Sequence, residues 1–230
     1  GTILMPSLAH AHSTNNEAEY KNLLNWGLRL TFLLALPAAV GLGCLSEALT
    51  SSLFHYGKFT GDDVHMTARA LSMYAIGLIG LISVKILASA YYAKQDIKTP
   101  VKIALLVLVM TQVMNWIFVP YLGHAGLSLS IGLGACLNAS ILGFLLYRRN
   151  MFIRGAWFKF FARVFIALLV LGAFAYGVGH QIDWIGMGAT EKMRRLVLLF
   201  GVIIASVVVY FAALFAMGFR LRDFRLVTLG

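Results

Sequence analysis

The chain has 230 residues, 60% of them apolar and 12% charged, with a net charge of +10 and a mean hydropathy of +0.83. A typical soluble domain is about half apolar and a quarter charged, and one of this size could not bury so much apolar surface. The composition excludes a soluble globule and a disordered chain. It predicts an all-α, polytopic membrane protein.

Six apolar stretches are long enough to cross a bilayer as helices, which takes about 20 residues each. In chain order they are 26–50, 68–92, 100–122, 125–147, 158–180 and 195–218. Residues 1–9 are apolar but too short to cross, and we interpret them as the end of a preceding helix. The predicted fold is a bundle of six full transmembrane helices plus that end. We therefore expect the chain to be the C-terminal part of a longer protein.

The distribution of basic residues predicts the orientation of these spans. Thirteen lysines and arginines fall on one side of the membrane, and five fall on the other, namely Lys58, Arg69, Lys192, Arg194 and Arg195. Cytoplasmic loops are enriched in such residues, so we predict a cytoplasmic C-terminus and no nucleic-acid partner. The basic loop at 147–154 would lie against anionic phospholipids of the inner leaflet.

Lys85 is the one remaining basic residue, and it lies within the second span, about 10 Å from the nearer end at 1.5 Å per residue. An ionisable group at this depth indicates a functional site. Its side chain either snorkels to the cytoplasmic interface or lines a polar cavity on the path of an anionic substrate. The span contains no carboxylate to neutralise it, which favours an anion from outside the chain.

Three amide side chains lie within the third and fourth spans, and they are Gln112, Asn115 and Asn138. Amides in lipid usually bridge helices, and the alternative is that these three line a polar cavity. The fourth span also repeats small residues every four positions, which predicts close helix packing. Pro37 in the first span marks either a hinge or a bend in a static bundle.

No motif of an enzyme is present. The chain lacks a glycine-rich phosphate loop, a GxSxG elbow and an HExxH helix. We expect no catalytic activity, no resident cofactor and no metal centre. Cys44 and Cys136 both lie in apolar runs, where we expect packing residues and no disulfide.

Several sequence strings resemble the MurJ/MviN family of bacterial lipid II flippases, within the multidrug/oligosaccharidyl-lipid/polysaccharide exporter superfamily. They are LFHYGKFT at 53–60, GLIG at 77–80 together with Lys85, YAKQDIKTPVKIA at 92–104 and HAGLSLS at 124–130. The Gln-Asp-x-Lys-Thr-Pro pattern at 95–100 is the most specific of these. The resemblance extends over nearly the whole chain.

The resemblance implies a fourteen-helix fold, with two six-helix lobes around a central cavity and two further C-terminal helices. Residues 1–147 would form most of the second lobe, from the end of helix 8 to helix 12. Residues 148–230 would form helices 13 and 14 with a basic linker and tail. The N-terminal lobe of the same protein would then be a partner that this chain lacks.

The resemblance also implies a function in cell-wall synthesis at the bacterial inner membrane. The family moves lipid II, an undecaprenyl-pyrophosphate-linked peptidoglycan precursor, from the inner to the outer leaflet by alternating access. Lys85 matches the family's span lysine, and the last two helices resemble its groove for the polyprenyl tail. Asn115 resembles a sodium-site position, but spans three and four contain no carboxylate, so coupling to sodium or to the membrane potential stays open.

Two other functions remain as alternatives at this point. One is a flippase or exporter of another lipid-linked glycan or a drug, from the same superfamily. The other is a membrane scaffold without transport activity, for which closely packed helices would suffice.

Overall fold

The computed structural model describes residues 4–152, 156–187 and 192–219, and these form eight helices without a strand. The helices are α1 (Leu4–Ser13), α2 (Glu17–Cys44), α3 (Ser46–Phe54), α4 (Gly61–Ala93), α5 (Lys98–Leu122), α6 (His124–Arg148), α7 (Ala156–Gln181) and α8 (Lys192–Ala216). Six of them, α2 and α4 to α8, are long and apolar enough to cross a membrane. The predicted all-α membrane bundle is confirmed.

The helices extend beyond the predicted apolar spans because polar residues start them outside the apolar region. Helix α4 begins at Gly61, seven residues before the predicted span. Thr60 and Asp63 form a reciprocal cap, in which the Thr60 amide donates to Asp63 Oδ2 at 2.9 Å and the Asp63 amide donates to Thr60 Oγ1. Such a cap satisfies amides that have no partner within the helix.

The first predicted span, 26–50, is wrong as a single helix. Helix α2 ends at Cys44 and α3 begins at Ser46, so the break falls at Leu45. Pro37, the expected site of a bend, lies within α2. Apolar content alone does not reveal the break. Helix α3 buries its hydroxyl side, which carries Thr50, Ser51 and Ser52.

Helices α4, α6 and α5 form a layer with α6 in the middle. A β-carbon added to Gly80 of α4 would lie 2.4 Å from the backbone nitrogen of Cys136 in α6. On the other side of α6, Gly134 faces Thr111 and Gly126 faces the Phe118 carbonyl of α5. The close packing predicted from small residues in the fourth span is confirmed.

The last two membrane helices pack on each other and on α2. Tyr210 of α8 is buried and donates its hydroxyl to the carbonyl of Leu33 in α2 at 2.9 Å. At the start of α7, Trp157 donates its indole N–H to Asn25 Oδ1 at 3.1 Å, and the Arg29 guanidinium lies 5.5 Å from the Trp157 ring.

Both cysteines are free, as expected. Arg154 and the basic tail 220–230 lie outside the described residues, and the division of the chain after residue 147 stays a prediction.

Candidate functional site

Lys85 lies on an exposed side of α4. At 100° per residue it is about 120° around the helix from the side that packs on α6 and a similar angle from the side that packs on α2. Ser83, two residues earlier, lines an apolar cleft on the other side of the layer. No ion pair of Lys85 occurs within residues 4–152, 156–187 and 192–219.

Asn138 lies on the same side of the layer as Lys85. Ser140 of α6 lines the cleft together with Ser83, and two residues along a helix correspond to about 200° of rotation. Asn138 therefore points away from the cleft, as Lys85 does. The packing of Gly80 on Cys136 sets the depth of Lys85 and Asn138 to within about 5 Å along the helix axes. The Asn138 Oδ1 atom is buried and has no hydrogen-bond partner among the residues that the structure describes.

Gln112 and Asn115 form a second amide pair on α5. The Asn115 amide donates to Gln112 Oε1 at 3.4 Å, and Asn115 Oδ1 is buried with no hydrogen-bond partner in the described part of the chain. Because α5 runs antiparallel to α6, the two amides lie on the Lys85 side of the layer. Along the helix axis, however, Asn115 lies about 13 Å from Asn138. The structure places Lys85 and Asn138 at a similar depth on one side of the layer and leaves Gln112 and Asn115 as a separate pair.

The amides near Asn115 offer few ligands for a sodium ion within α5 and α6. Gln112 and Asn115 supply two amide oxygens, and neither α5 nor α6 contains a carboxylate. A hard cation is held by several oxygen ligands, for which carboxylates are the usual charged donors. Coupling to sodium or to the membrane potential stays a prediction.

Two apolar depressions lie away from the Lys85 side. The first is the cleft of about 700 Å³ between α4, α6, α2 and α7, which we call the α4–α6 cleft. The second, the α2–α8 groove, has a volume of about 440 Å³. Its lining is almost entirely apolar and includes Leu34, Pro37, Ala38, Gly41, Leu45 and Leu49 from α2 and α3, Leu171 from α7, and Ile203, Ser206, Val207, Tyr210 and Phe211 from α8.

The Gln-Asp-x-Lys-Thr-Pro string forms a tie at the other end of the layer from the α5–α6 turn. Asp96 accepts hydrogen bonds from the Thr99 amide at 3.2 Å and the Thr99 hydroxyl at 2.9 Å, and Arg149 lies 3.5 Å from its Oδ2 atom. Burial raises the pKa of the Asp96 carboxyl, but these hydrogen bonds and the Arg149 charge lower it more, so that the pKa lies below its usual value. The string starts α5 and joins it to the end of α6.

Comparison with known proteins decides the family. A family model described as lipid II flippase MurJ matches residues 1–193. The chain belongs to the MurJ family. A lipid II flippase MurJ from Burkholderia cenocepacia is 48% identical over 226 residues, which is 98% of this chain and 44% of that protein. A probable lipid II flippase MurJ from Vibrio cholerae is 31% identical over 99% of this chain and 43% of its own length.

MurJ membership and the six candidate spans make the chain part of a multi-pass protein of the bacterial inner membrane. The chain spans less than half the length of the MurJ relatives it matches. A MurJ from Buchnera aphidicola subsp. Schizaphis graminum, for example, is 38% identical over 97% of this chain and 43% of its own length.

Sequence reasoning missed one residue of this MurJ chain. Arg195 was expected to be one of five outer basic residues, yet it is completely buried at the start of α8. Its position as the first residue of an apolar span was a usable signal, because an arginine there must find partners within the protein or at the interface. Two of its partners, Ser51 and His55, lie in and just after α3, which the sequence did not separate from α2.

Proposed function

We propose that the chain forms part of a flippase that moves lipid II from the inner to the outer leaflet. Family membership supports this function, and so do two features of different chemistry. A polar side of the α4–α6–α5 layer carries an exposed lysine, which suits the diphosphate of the substrate. The apolar α2–α8 groove suits its undecaprenyl tail.

Lys85 is the residue that carries the proposal. A lysine exposed on a membrane helix is costly unless water, a counter-charge or headgroups meet it, and the predicted span 68–92 holds no carboxylate. A diphosphate is a suitable counter-charge because an ammonium binds phosphate oxygens as a compact point charge. The Asn138 amide, at a similar depth on the same side, adds a hydrogen-bonding group.

The rest of the protein would cover this polar side. The chain spans 44% of the length of its Burkholderia relative, and the Lys85 side of α4 is not covered by the packing on α6 and α2. We propose that the remaining length forms the opposite lobe, so that rocking of the two lobes exposes Lys85 to each leaflet in turn. The excess of basic residues on the C-terminal side supports a cytoplasmic C-terminus, next to anionic phospholipids.

Replacement of Lys85 in the native protein tests the proposal. The test is growth and lipid II translocation in cells whose own flippase has been depleted, with each variant checked for its amount in the membrane. We expect Lys85→Ala to abolish growth and Lys85→Arg to retain it, because arginine keeps the positive charge. Lys102→Ala, at an exposed position near the start of α5, is the matched control and should grow normally. Normal growth and translocation of Lys85→Ala at a normal membrane level would overturn the proposal.

A further inference from the structure

Arg195 lies in the first turn of α8 and is 0% exposed. Arginine is almost never fully buried unless its charge is paired. Among residues 4–152, 156–187 and 192–219, no carboxylate pairs with it.

The guanidinium of Arg195 joins three separate segments. Its Nη1 atom donates to the Ser51 hydroxyl at 3.2 Å and to the Trp184 carbonyl at 3.3 Å, and its Nη2 atom donates to the His55 carbonyl at 3.4 Å. Ser51 belongs to α3, His55 directly follows α3, and Trp184 belongs to the turn after α7. Ser51 itself donates to the Trp184 carbonyl at 2.7 Å. The start of α8 is thus fastened to α3 and to the α7–α8 turn.

An apolar cluster lies against this fastening, and we call it the outer plug. It consists of Leu45, Ala48, Ala175, Trp184, Leu199 and Val202. Trp184 is its largest member, is 2% exposed and donates its indole N–H to the Gly179 carbonyl.

The outer plug is continuous with the α2–α8 groove. Leu45 belongs to both, and on α8 the groove lining begins at Ile203, one residue after the last plug residue, Val202. The groove runs along α2 from Leu34 to Leu45, which is about 16 Å at 1.5 Å per residue. The plug therefore closes the end of the groove that lies toward the start of α8, where the sequence places the outer side of the membrane.

We propose that Arg195 is a positioning residue that holds the outer plug in place and so closes the outer end of the groove. This rests on the proposed function, in which the groove holds the polyprenyl tail of the substrate. The planar guanidinium has five N–H donors, so a single side chain serves two carbonyls from different segments and one hydroxyl. With Arg195 in place, the tail does not leave the groove through this outer end.

Cysteine labelling of the native protein in membrane vesicles tests this role. Cys44 and Cys136 are first replaced by alanine, and Ala48→Cys then reports on the plug, where Ala48 is 2% exposed. Ala167→Cys reports on a second buried position, 0% exposed in the packing of α7 on α2 and α8. The labelling rate with a water-soluble maleimide is measured for each reporter.

We expect Arg195→Met to raise the labelling rate of Ala48→Cys at least tenfold and to leave that of Ala167→Cys unchanged. Arg195→Lys should recover part of the protection, since one ammonium reaches fewer of the acceptors. Lys192→Met is the matched control, because the exposed Lys192 ammonium lies 4.1 Å from the Tyr56 ring, which Arg195 also contacts at 5.2 Å. Lys192→Met removes one positive charge that lies over the same Tyr56 ring, and it should change neither labelling rate.

Two results would overturn the role of Arg195. One is an unchanged rate for Ala48→Cys in Arg195→Met, and the other is an equal rise at both reporters, which indicates general loosening. If Arg195→Met does not reach the membrane, Ser51→Ala removes a smaller part of the fastening and must raise the Ala48→Cys rate several-fold. No lipid is needed for this labelling. Failure of undecaprenyl phosphate to protect an Ala38→Cys reporter in the groove would instead count against the proposed function.

Discussion

A β-carbon added to Gly77 of α4 would lie 2.0 Å from the α-carbon of Gly132 in α6. The two backbones are therefore in direct contact near the middle of the layer. This contact separates the two sides of the layer, with Lys85 and Asn138 on one and the α4–α6 cleft on the other. It explains why a charged residue and a large apolar depression lie within one turn of the same helix.

Gly77→Ala should destabilise the protein, because α4 and α6 must move apart to admit the methyl group. Overpacking of this kind costs about 1–3 kcal/mol. We expect a lower thermal unfolding midpoint in detergent and a lower membrane level. Gly201→Ala is the matched control, since a β-carbon there meets nothing within 4 Å, and alanine in a helix is favoured over glycine by about 1 kcal/mol. An unchanged midpoint for Gly77→Ala would contradict the contact.

Asp96→Asn should weaken the tie between the start of α5 and Arg149, at a cost of about 1 kcal/mol, as for loss of a helix cap. The pKa of the Asp96 carboxyl lies below its usual value, which is about 3.9. The carboxylate therefore stabilises the fold above that value, and this contribution is lost as the pH falls through the lower, folded-state pKa.

The measurement for Asp96 is the difference in unfolding midpoint between Asp96→Asn and the unchanged protein as a function of pH. We expect a constant difference between pH 8 and pH 6 that shrinks only in strong acid, below about pH 4. Lys98→Gln, in the same turn but exposed, should give little difference at any pH. A difference for Asp96→Asn that vanishes already at pH 6 would be inconsistent with the lowered pKa.

Tyr210→Phe should loosen the attachment of α8 to α2. It removes the hydroxyl that donates to the Leu33 carbonyl, and a hydrogen bond of this type contributes about 0.5–1.5 kcal/mol. The check is the thermal unfolding midpoint, with Tyr176→Phe as the control because Tyr176 is exposed. Equal midpoints for both variants would show that the Tyr210 hydroxyl does not hold the helix.

Ala38→Trp should fill the α2–α8 groove and weaken binding of undecaprenyl phosphate at least tenfold, with little change in stability because Ala38 is an exposed residue of the groove lining. Ser140→Trp places the same bulk in the α4–α6 cleft, where Ser140 is also exposed, and should leave binding unchanged. Binding is measured with a fluorescent lipid in detergent. Weaker binding in Ser140→Trp together with unchanged binding in Ala38→Trp would instead indicate that the tail binds in the α4–α6 cleft.

Much of the fold could be predicted from apolar content, because every membrane helix must be a long apolar run. The break at Leu45 could not, since the prediction used apolar content over the whole stretch 26–50, and the polar residues of α3 can also be accommodated within a membrane helix. The close contact at Gly132 could be predicted from the small-residue repeat, but its partner Gly77 could not. Spacing along one helix does not say which other helix it meets.

The site was predictable only in part. Lys85 and Asn138 could each be recognised as polar groups in apolar spans, yet their placement on one side of the layer depends on the packing of α4 on α6. Asp96 belongs to a sequence string that resembles the family, but its pairing with Arg149 cannot be predicted without the fold. The sequence predicts Arg195 to be a basic residue on the outer side, because it does not reveal the carbonyls of Trp184 and His55 that accept its hydrogen bonds.

Photocrosslinking of lipid II to α6 tests the proposed substrate path most directly. A photoreactive amino acid is placed in the native protein at Asn138, on the Lys85 side, or at Ser140, in the α4–α6 cleft, and radiolabelled lipid II is added. We predict crosslinking at position 138, its loss when Lys85→Ala is added, and little crosslinking at position 140. Crosslinking at position 140 alone, or at position 138 without dependence on Lys85, would contradict a path for the diphosphate along the Lys85 side.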